Sequence, residues 1–547
     1  LYNLNYVSFR LKSYKLVLPH LLEKYSLEKK NEKVVEALAR FNFFIGNTRE
    51  AQKYYRELLN RKDISHRELF GNINSLISKE ILEKLSILES ALYQSNEFKT
   101  FIKDKELVKS LSLLIFCSPL WEKVLVNIRK NILLKYSDKD KISNTVLNFT
   151  IGLGSQCFLN EYVYYISGEE KDKLKELKKT INNNKNQEYK LAIISCYQSL
   201  SSINDEEIID LNSYIPNNKE LNNLLDLQFK ELNDEKNISK EIKKIGNIKD
   251  SISKEVKSQY ELNPYPRWRY NSYSKENKLN FISVINSEIS PNIIQTNSVH
   301  LTNKKINILI AGCGTGIQII EASRYINCEI TAIDLSNSSI SYAKRKVDEY
   351  GLKNINFIEM DLLELTSLNK RFDLIECSGV LHHMNDPTKG LSNLFEVLEP
   401  KGFLKLGLYS KYAREEILKA RKLIKEKVIK PNIDGIRSFR NDVLNGEIKQ
   451  LNEITNWSDF YSTSMCRDLC FHSHENCYSL IEIKNMLEVS NLEFLGFTLS
   501  KDIRDKYLIE NKDKDSLKDL ALWDEFEKSN PYSFREMYQF WARKSIK

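Results

Sequence analysis

Five short apolar runs, each followed by a helical stretch, constrain this chain more than any other feature. They are INILIAG, EITAIDL, INFIEM, FDLIECSG and GFLKLGLYS, all beyond residue 300. Strands buried on both faces read as near-continuous apolar runs, and their alternation with helices predicts a parallel, doubly wound α/β domain. Folds of this kind bind ligands at the carboxyl ends of their strands, so the chemistry is to be sought just after each run.

The first run ends in Ala311-Gly312-Cys313-Gly314-Thr315-Gly316, ahead of a helix starting near Ile317. Glycines permit a tight turn and close approach of a ligand to the backbone, and the helix start offers unpaired N–H groups. A structural bend or a dinucleotide site would use the same turn. The second run ends at Asp334 with Leu335 beside it, about 20 residues past the first glycine, the spacing that sets a carboxylate against a bound ribose. NAD enzymes share that acid. After the third run, Asp361 is placed to accept from an adenine amino group while Leu362 packs on the ring. The fourth run leads through Glu376-Cys377-Ser378-Gly379-Val380-Leu381-His382-His383-Met384 to Asp386-Pro387, and Glu399-Pro400-Lys401-Gly402 opens the fifth.

This series resembles the class I S-adenosylmethionine-dependent methyltransferases in order, spacing and residue type. The resemblance implies a Rossmann-like domain with S-adenosylmethionine as cofactor. Its binding residues would be Ala311, Gly312, Cys313, Gly314, Gly316, Asp334, Leu335, Asp361, Leu362, Glu376 and Gly379. The family often carries an acid two residues before the first glycine, where this chain has Ile310, so the methionine amino group is expected on backbone carbonyls and Glu376. Further pieces resemble a narrower bacterial group, the tetratricopeptide-associated methyltransferases. These are Ser118-Pro119-Leu120 with Glu122, Gln156-Cys157-Phe158-Leu159-Asn160-Glu161-Tyr162-Val163, the segment YELNPYPRW from Tyr260 to Trp268, Asp459-Phe460-Tyr461 and Cys466-Arg467-Asp468.

The 547 residues allow two or three domains. Residues 1–250 read as an all-α region, because apolar positions recur at three and four with few glycines or prolines. Leu38, Ala39, Gly46, Ala51, Tyr55 and Leu58 fall at the offsets of a tetratricopeptide repeat, but an irregular helical bundle fits equally well, since one repeat is too few for a solenoid. The polar stretch at 235–250 reads as a linker. Residues 251–300 form a proline and aromatic lead-in, and 301–547 form the catalytic domain. In YELNPYPRW the prolines hold an extended backbone, so Tyr265, Arg267 and Trp268 line an entrance to the cofactor or form a rigid strap that packs the helical half onto the sheet, with the aromatics as core. An insertion at about 410–478, before a predicted strand from Leu492 to Phe497, is a candidate lid or acceptor-binding subdomain.

Within that insertion, CRDLCFHSHENC gathers three cysteines and two histidines, but it lacks the paired C-x2-C of structural zinc sites and no metal is expected. The resembling family reads closer to RDLLFHVQEH there, which leaves His472 and Glu475 as candidate substrate contacts. His382, His383 and Tyr265 complete the candidate catalytic set, as groups able to take an acceptor's proton.

Net charge is +8 on 82 basic and 74 acidic side chains, which leaves no electrostatic footprint for nucleic acid. The N-P-P-aromatic element of base-methylating enzymes is missing after the fourth run. Nine scattered cysteines suit reduced thiols in a cytoplasmic enzyme. The first twenty residues interrupt their apolar positions with Arg10, Lys12 and Lys15, so neither a signal peptide nor a membrane span is expected. The helical half favours a protein or peptide acceptor over a small molecule, although it would serve equally to build a homo-oligomer. A non-catalytic cofactor-binding scaffold is the rival reading.

Overall fold

The computed structural model describes residues 14–61, 77–87, 95–137, 142–182, 186–271, 278–294 and 305–545. The opening thirteen residues, part of the 251–300 lead-in and part of the polar run NNNKNQEYK lie outside the described residues. Two compact units emerge: Leu1–Asn233 with Arg269–Ser272 and Ile429–Cys466, and Asp234–Trp268 with Tyr273–Val428 and Arg467–Lys547.

The first unit is built from helices, among them Glu32–Phe44, Thr48–Leu59, Pro119–Tyr136 and Asn144–Leu159. Leu38, Ala39, Ala51, Tyr55 and Leu58 are all fully buried in the hairpin of the first two, and Gly46 turns between them with φ +77°. Deeper charges are paired. Arg440 holds Glu122 through two hydrogen bonds of 3.0 and 2.7 Å, and Arg129 holds Glu170 at 3.1 Å. Arg440 lies in the helix Ile433–Leu444, inside the insertion expected to be a lid. That insertion is therefore not one body: Ile429–Cys466 belongs to the first unit, and the stretches on either side belong to the second.

In the second unit eight strands form one sheet: β1 (Lys243–Lys244), β2 (Ile306–Ala311), β3 (Cys328–Asp334), β4 (Ile355–Glu359), β5 (Phe372–Ser378), β6 (Leu398–Leu408), β7 (Leu492–Phe497) and β8 (Tyr538–Lys544). The order is 1-4-3-2-5-6-8-7, parallel from β1 to β6 and antiparallel at β8 and β7. Alternate residues of β2 enter opposite cores: Ile308 and Ile310 pack with Leu374 and Phe403 on one face, Leu309 and Ala311 with Cys377 and Leu404 on the other. This two-sided burial is why the strand reads as an unbroken apolar run.

Two strands escape the sequence reading. β1 lies in the expected linker, next to the helix Glu231–Ile238, and both its lysines are exposed at the sheet edge, so nothing apolar marks it. β8, YQFWARK, lies near the end of the chain and inserts between β6 and β7.

Candidate active site

The strand order reverses at β2, and a cleft opens where β2 and β5 end. It encloses about 310 Å³. The turn after β2 forms part of its wall. Gly312 has φ +74°, and a Cβ there would stand 2.2 Å from Val380 Cγ2; Gly316 has φ +92° and would meet Ala343 Cβ at 2.8 Å. Backbone conformation and close packing together restrict both positions to glycine.

Asp334, at the end of β3, lines the cleft and accepts the Gly314 and Ser336 N–H groups at 2.8 Å each. Burial pushes its pKa up to about 6, against the pull of those two donors. Asp361 caps the turn Leu362–Leu368 by accepting the Leu363 N–H at 2.9 Å, and it lines the cleft with Leu362. Burial raises its pKa as well. Cys313, Gly314, Leu335 and Gly379 also face the cleft, whereas Ala311 is buried beneath it.

The YELNPYPRW segment lines the cleft and makes further contacts within the second unit. Tyr260 and Tyr265 line the cleft. Glu261 accepts the Asn337 and Ser338 N–H groups at 2.8 and 3.0 Å, at the start of the helix Asn337–Glu349. Arg267 pairs with Glu235 at 3.2 Å, and the Trp268 indole donates to Thr315 O at 3.0 Å.

Around Tyr260 a polar cluster forms. Its hydroxyl lies 2.7 Å from Asp468 Oδ1 and 3.2 Å from His472 Nε2. His383, which lines the cleft, stacks on His472 with ring centroids 3.8 Å apart and planes 16° from parallel. Its Nδ1 lies 3.0 Å from the His474 carbonyl oxygen, which can only accept, so Nδ1 carries the proton.

Three candidates depart from expectation. Glu376 does not line the cleft: the pleat turns it to the face shared by Leu374, beside Tyr325, and burial pushes its pKa up to about 7. Glu475 is wholly buried between Arg414 and Arg421, at 3.2 and 2.8 Å, and is committed to holding those cations. His382 packs on Tyr409 with centroids 4.0 Å apart, beneath the cleft wall, and burial holds it neutral. His383 and Tyr265 stay in the cleft, and His472 stands behind His383 and Tyr260.

Among the described residues, one group has metal-ligand potential, His383, Asp468 and His472, and it includes none of the cysteines. The His474 N–H donates to His472 Nδ1 at 3.1 Å, which puts the His472 proton on Nε2, toward the group's centre, where a ligand would need a lone pair.

Sequence reasoning missed Tyr260 and Asp468 as site residues, and Met537 and Gln539, which reach the cleft from around the start of β8. The alternation of Tyr538, Phe540 and Ala542 with Gln539 and Arg543 was the available signal.

Residues 308–402 match the family model described as a methyltransferase domain. An uncharacterized protein of Synechococcus is 29% identical over 236 residues, covering 40% of this chain and 55% of its own. The ubiquinone biosynthesis O-methyltransferase of Coxiella burnetii is 35% identical over 104 residues, covering 19% of this chain and 44% of its own. The chain thus spans about half the length of these curated relatives. Among solved structures, PKMT2 from Rickettsia typhi in complex with AdoHcy is 15% identical, with a TM-score of 0.37 over 50% of this chain and 55% of that one. Residues 308–402 thus match a methyltransferase domain and lie within a Rossmann-like sheet.

Proposed function

We propose that the whole protein transfers a methyl group from S-adenosylmethionine to a protein or peptide acceptor. One observation carries the reading: a glycine-walled cleft joins Asp334 and Asp361, where a ribose and an adenine would be held, to Tyr260, Tyr265 and His383. The cofactor supplies an electrophilic methyl group, so the protein's work is to bind, align and exclude water. Asp334 is assigned to the ribose hydroxyls, Asp361 and Leu362 to the adenine, and the backbone of 312–316 to the methionine part. The helical unit is assigned to acceptor recognition, on the basis of its separate core and its helix hairpin, which we read as tetratricopeptide-like. With the Gln156–Val163 and Tyr260–Trp268 segments, this hairpin supports a place in the tetratricopeptide-associated group.

No helix among the described residues is long and apolar enough to cross a membrane, and none of the nine cysteines is in a disulfide. A cytoplasmic setting is in keeping with both. Calorimetric titration with S-adenosylhomocysteine, with NAD as control, tests the cofactor assignment: saturable binding of the first alone supports it, and no binding by the folded chain defeats it. The scaffold reading is separated by product formation from a methyl-labelled donor.

A further inference from the structure

The groups behind the cleft fix one another's protons. Because the His474 N–H occupies Nδ1 of His472, the neutral imidazole carries its hydrogen on Nε2 and can only donate toward Tyr260 Oη. Tyr260 must then give its own proton to Asp468, 2.7 Å away. A phenol has one proton and two lone pairs, so a single lone pair of Oη is left, on a residue that lines the cleft. No third partner of that oxygen is found among the described residues.

We propose that Tyr260 and Asp468 form the proton relay of the methyl transfer, and that the acceptor therefore reacts through an X–H bond, as a hydroxyl or an amine. The proposal rests on the methyl-transfer reading above. As X takes the methyl group, its proton passes to Tyr260 Oη, and the phenolic proton passes to Asp468 Oδ1. The net change is one proton moved from X to the buried carboxylate, and Tyr260 ends as a neutral phenol. Solvent takes the proton from Asp468 after product leaves.

The surroundings suit that sequence. Burial raises the Asp468 carboxyl above its ordinary range, which readies it to hold a proton. The Tyr260 phenol is raised far above its usual value, by burial first and by Asp468 second, so the two proton movements are concerted rather than passing through a phenolate. Burial holds His383 and His472 neutral, which preserves the direction of donation. Glu475 and Arg414 also face Asp468 and act on it in opposite senses. Tyr260 is the residue in contact with the acceptor, and Asp468 acts through it.

Nitrogen-15 spectra of the full chain with labelled histidine test the wiring, with H472Q and H383Q assigning the signals. At neutral pH we expect His472 neutral with its proton on Nε2, and His383 neutral with its proton on Nδ1. The opposite tautomer or a cation at His472 overturns the relay. The chemistry is tested with donor tritiated in its methyl group and a bacterial cell extract as acceptor pool. Y260F and D468N are expected to lower incorporation about 100-fold, the ordinary worth of a positioned acid or base, while S-adenosylhomocysteine affinity stays within about threefold of the parent chain. D468E, which restores a proton-holding carboxylate, is expected to recover part of the rate that D468N loses. Undiminished incorporation in Y260F or D468N overturns the proposal. Failure of the parent chain to bind S-adenosylhomocysteine overturns the methyl-transfer reading instead, because the histidine spectra are taken on the free chain and judge the relay by themselves.

Discussion

Buried acids are treated differently in the two units. In the helical unit Glu122 and Glu170 each face an arginine, Arg440 and Arg129, that is itself 1% exposed. In the sheet unit Asp334, Glu376 and Asp468 are held without a Lys or Arg ion pair among the described residues, and burial raises the pKa of all three. A buried pair is compensated and fixes packing; an uncompensated acid stores a preference for the proton that binding or catalysis can draw upon. The contrast also sorts candidates within the sheet unit. Glu475, clasped by two arginines, follows the pattern of the helical unit, whereas Asp468 does not.

The largest test of this contrast is to break a compensated pair. Replacing Glu122 by alanine strands the Arg440 guanidinium, and the expected cost is about 3–5 kcal/mol in the unfolding transition that includes the helical unit. Chemical denaturation followed by circular dichroism measures it. A loss below about 1 kcal/mol would show that the pair is no more than a surface salt bridge in its energetics.

Asp334 comes next. D334A should weaken S-adenosylhomocysteine binding by about 10–100-fold, the worth of hydrogen bonds to a charged acceptor, and leave the melting temperature near that of the parent. Calorimetry and differential scanning fluorimetry read the two effects separately.

Glu376 should act on stability alone. Its folded pKa of about 7 lies above the ordinary 4.5, so the folded state binds the proton more tightly than the unfolded chain does. Stability is therefore expected to fall as pH rises from 4.5 to 7 and to level off above that. In E376Q this loss, about 3 kcal/mol, should disappear from the pH dependence of denaturation.

The smallest effect is the pH dependence of binding. If ribose hydroxyls donate to ionised Asp334, affinity should fall as pH drops through 6, by about tenfold between pH 8 and pH 5. D334N should flatten that profile.

How much of this was legible in the sequence follows from what each signal encodes. The apolar runs gave β2 to β6 because burial on both faces leaves an unbroken pattern, and the distance from Gly312 to Asp334 is set by one helix and one strand. Glu376 and Glu475 looked like ligands because sequence shows a charge without its neighbours: the pleat turns one away, and Arg414 and Arg421 claim the other. The cluster of Tyr260, His383, Asp468 and His472 was hidden for the opposite reason. Its members come from three separate stretches of chain, and no periodicity joins them. β1 left no trace because two exposed lysines carry no apolar signature.

The nine residues from Tyr260 to Trp268 line the cleft through two tyrosines, cap a neighbouring helix through Glu261 and tie down the glycine turn through Trp268. Under the proposed function, one stretch of chain therefore faces the acceptor through its tyrosines and braces the cofactor turn through Glu261 and Trp268. Changes at Glu261 or Trp268 are expected to carry the cofactor turn with them, whereas the Tyr260 hydroxyl, Met537 and Gln539 offer the cleft positions at which acceptor preference is altered with the braces left in place.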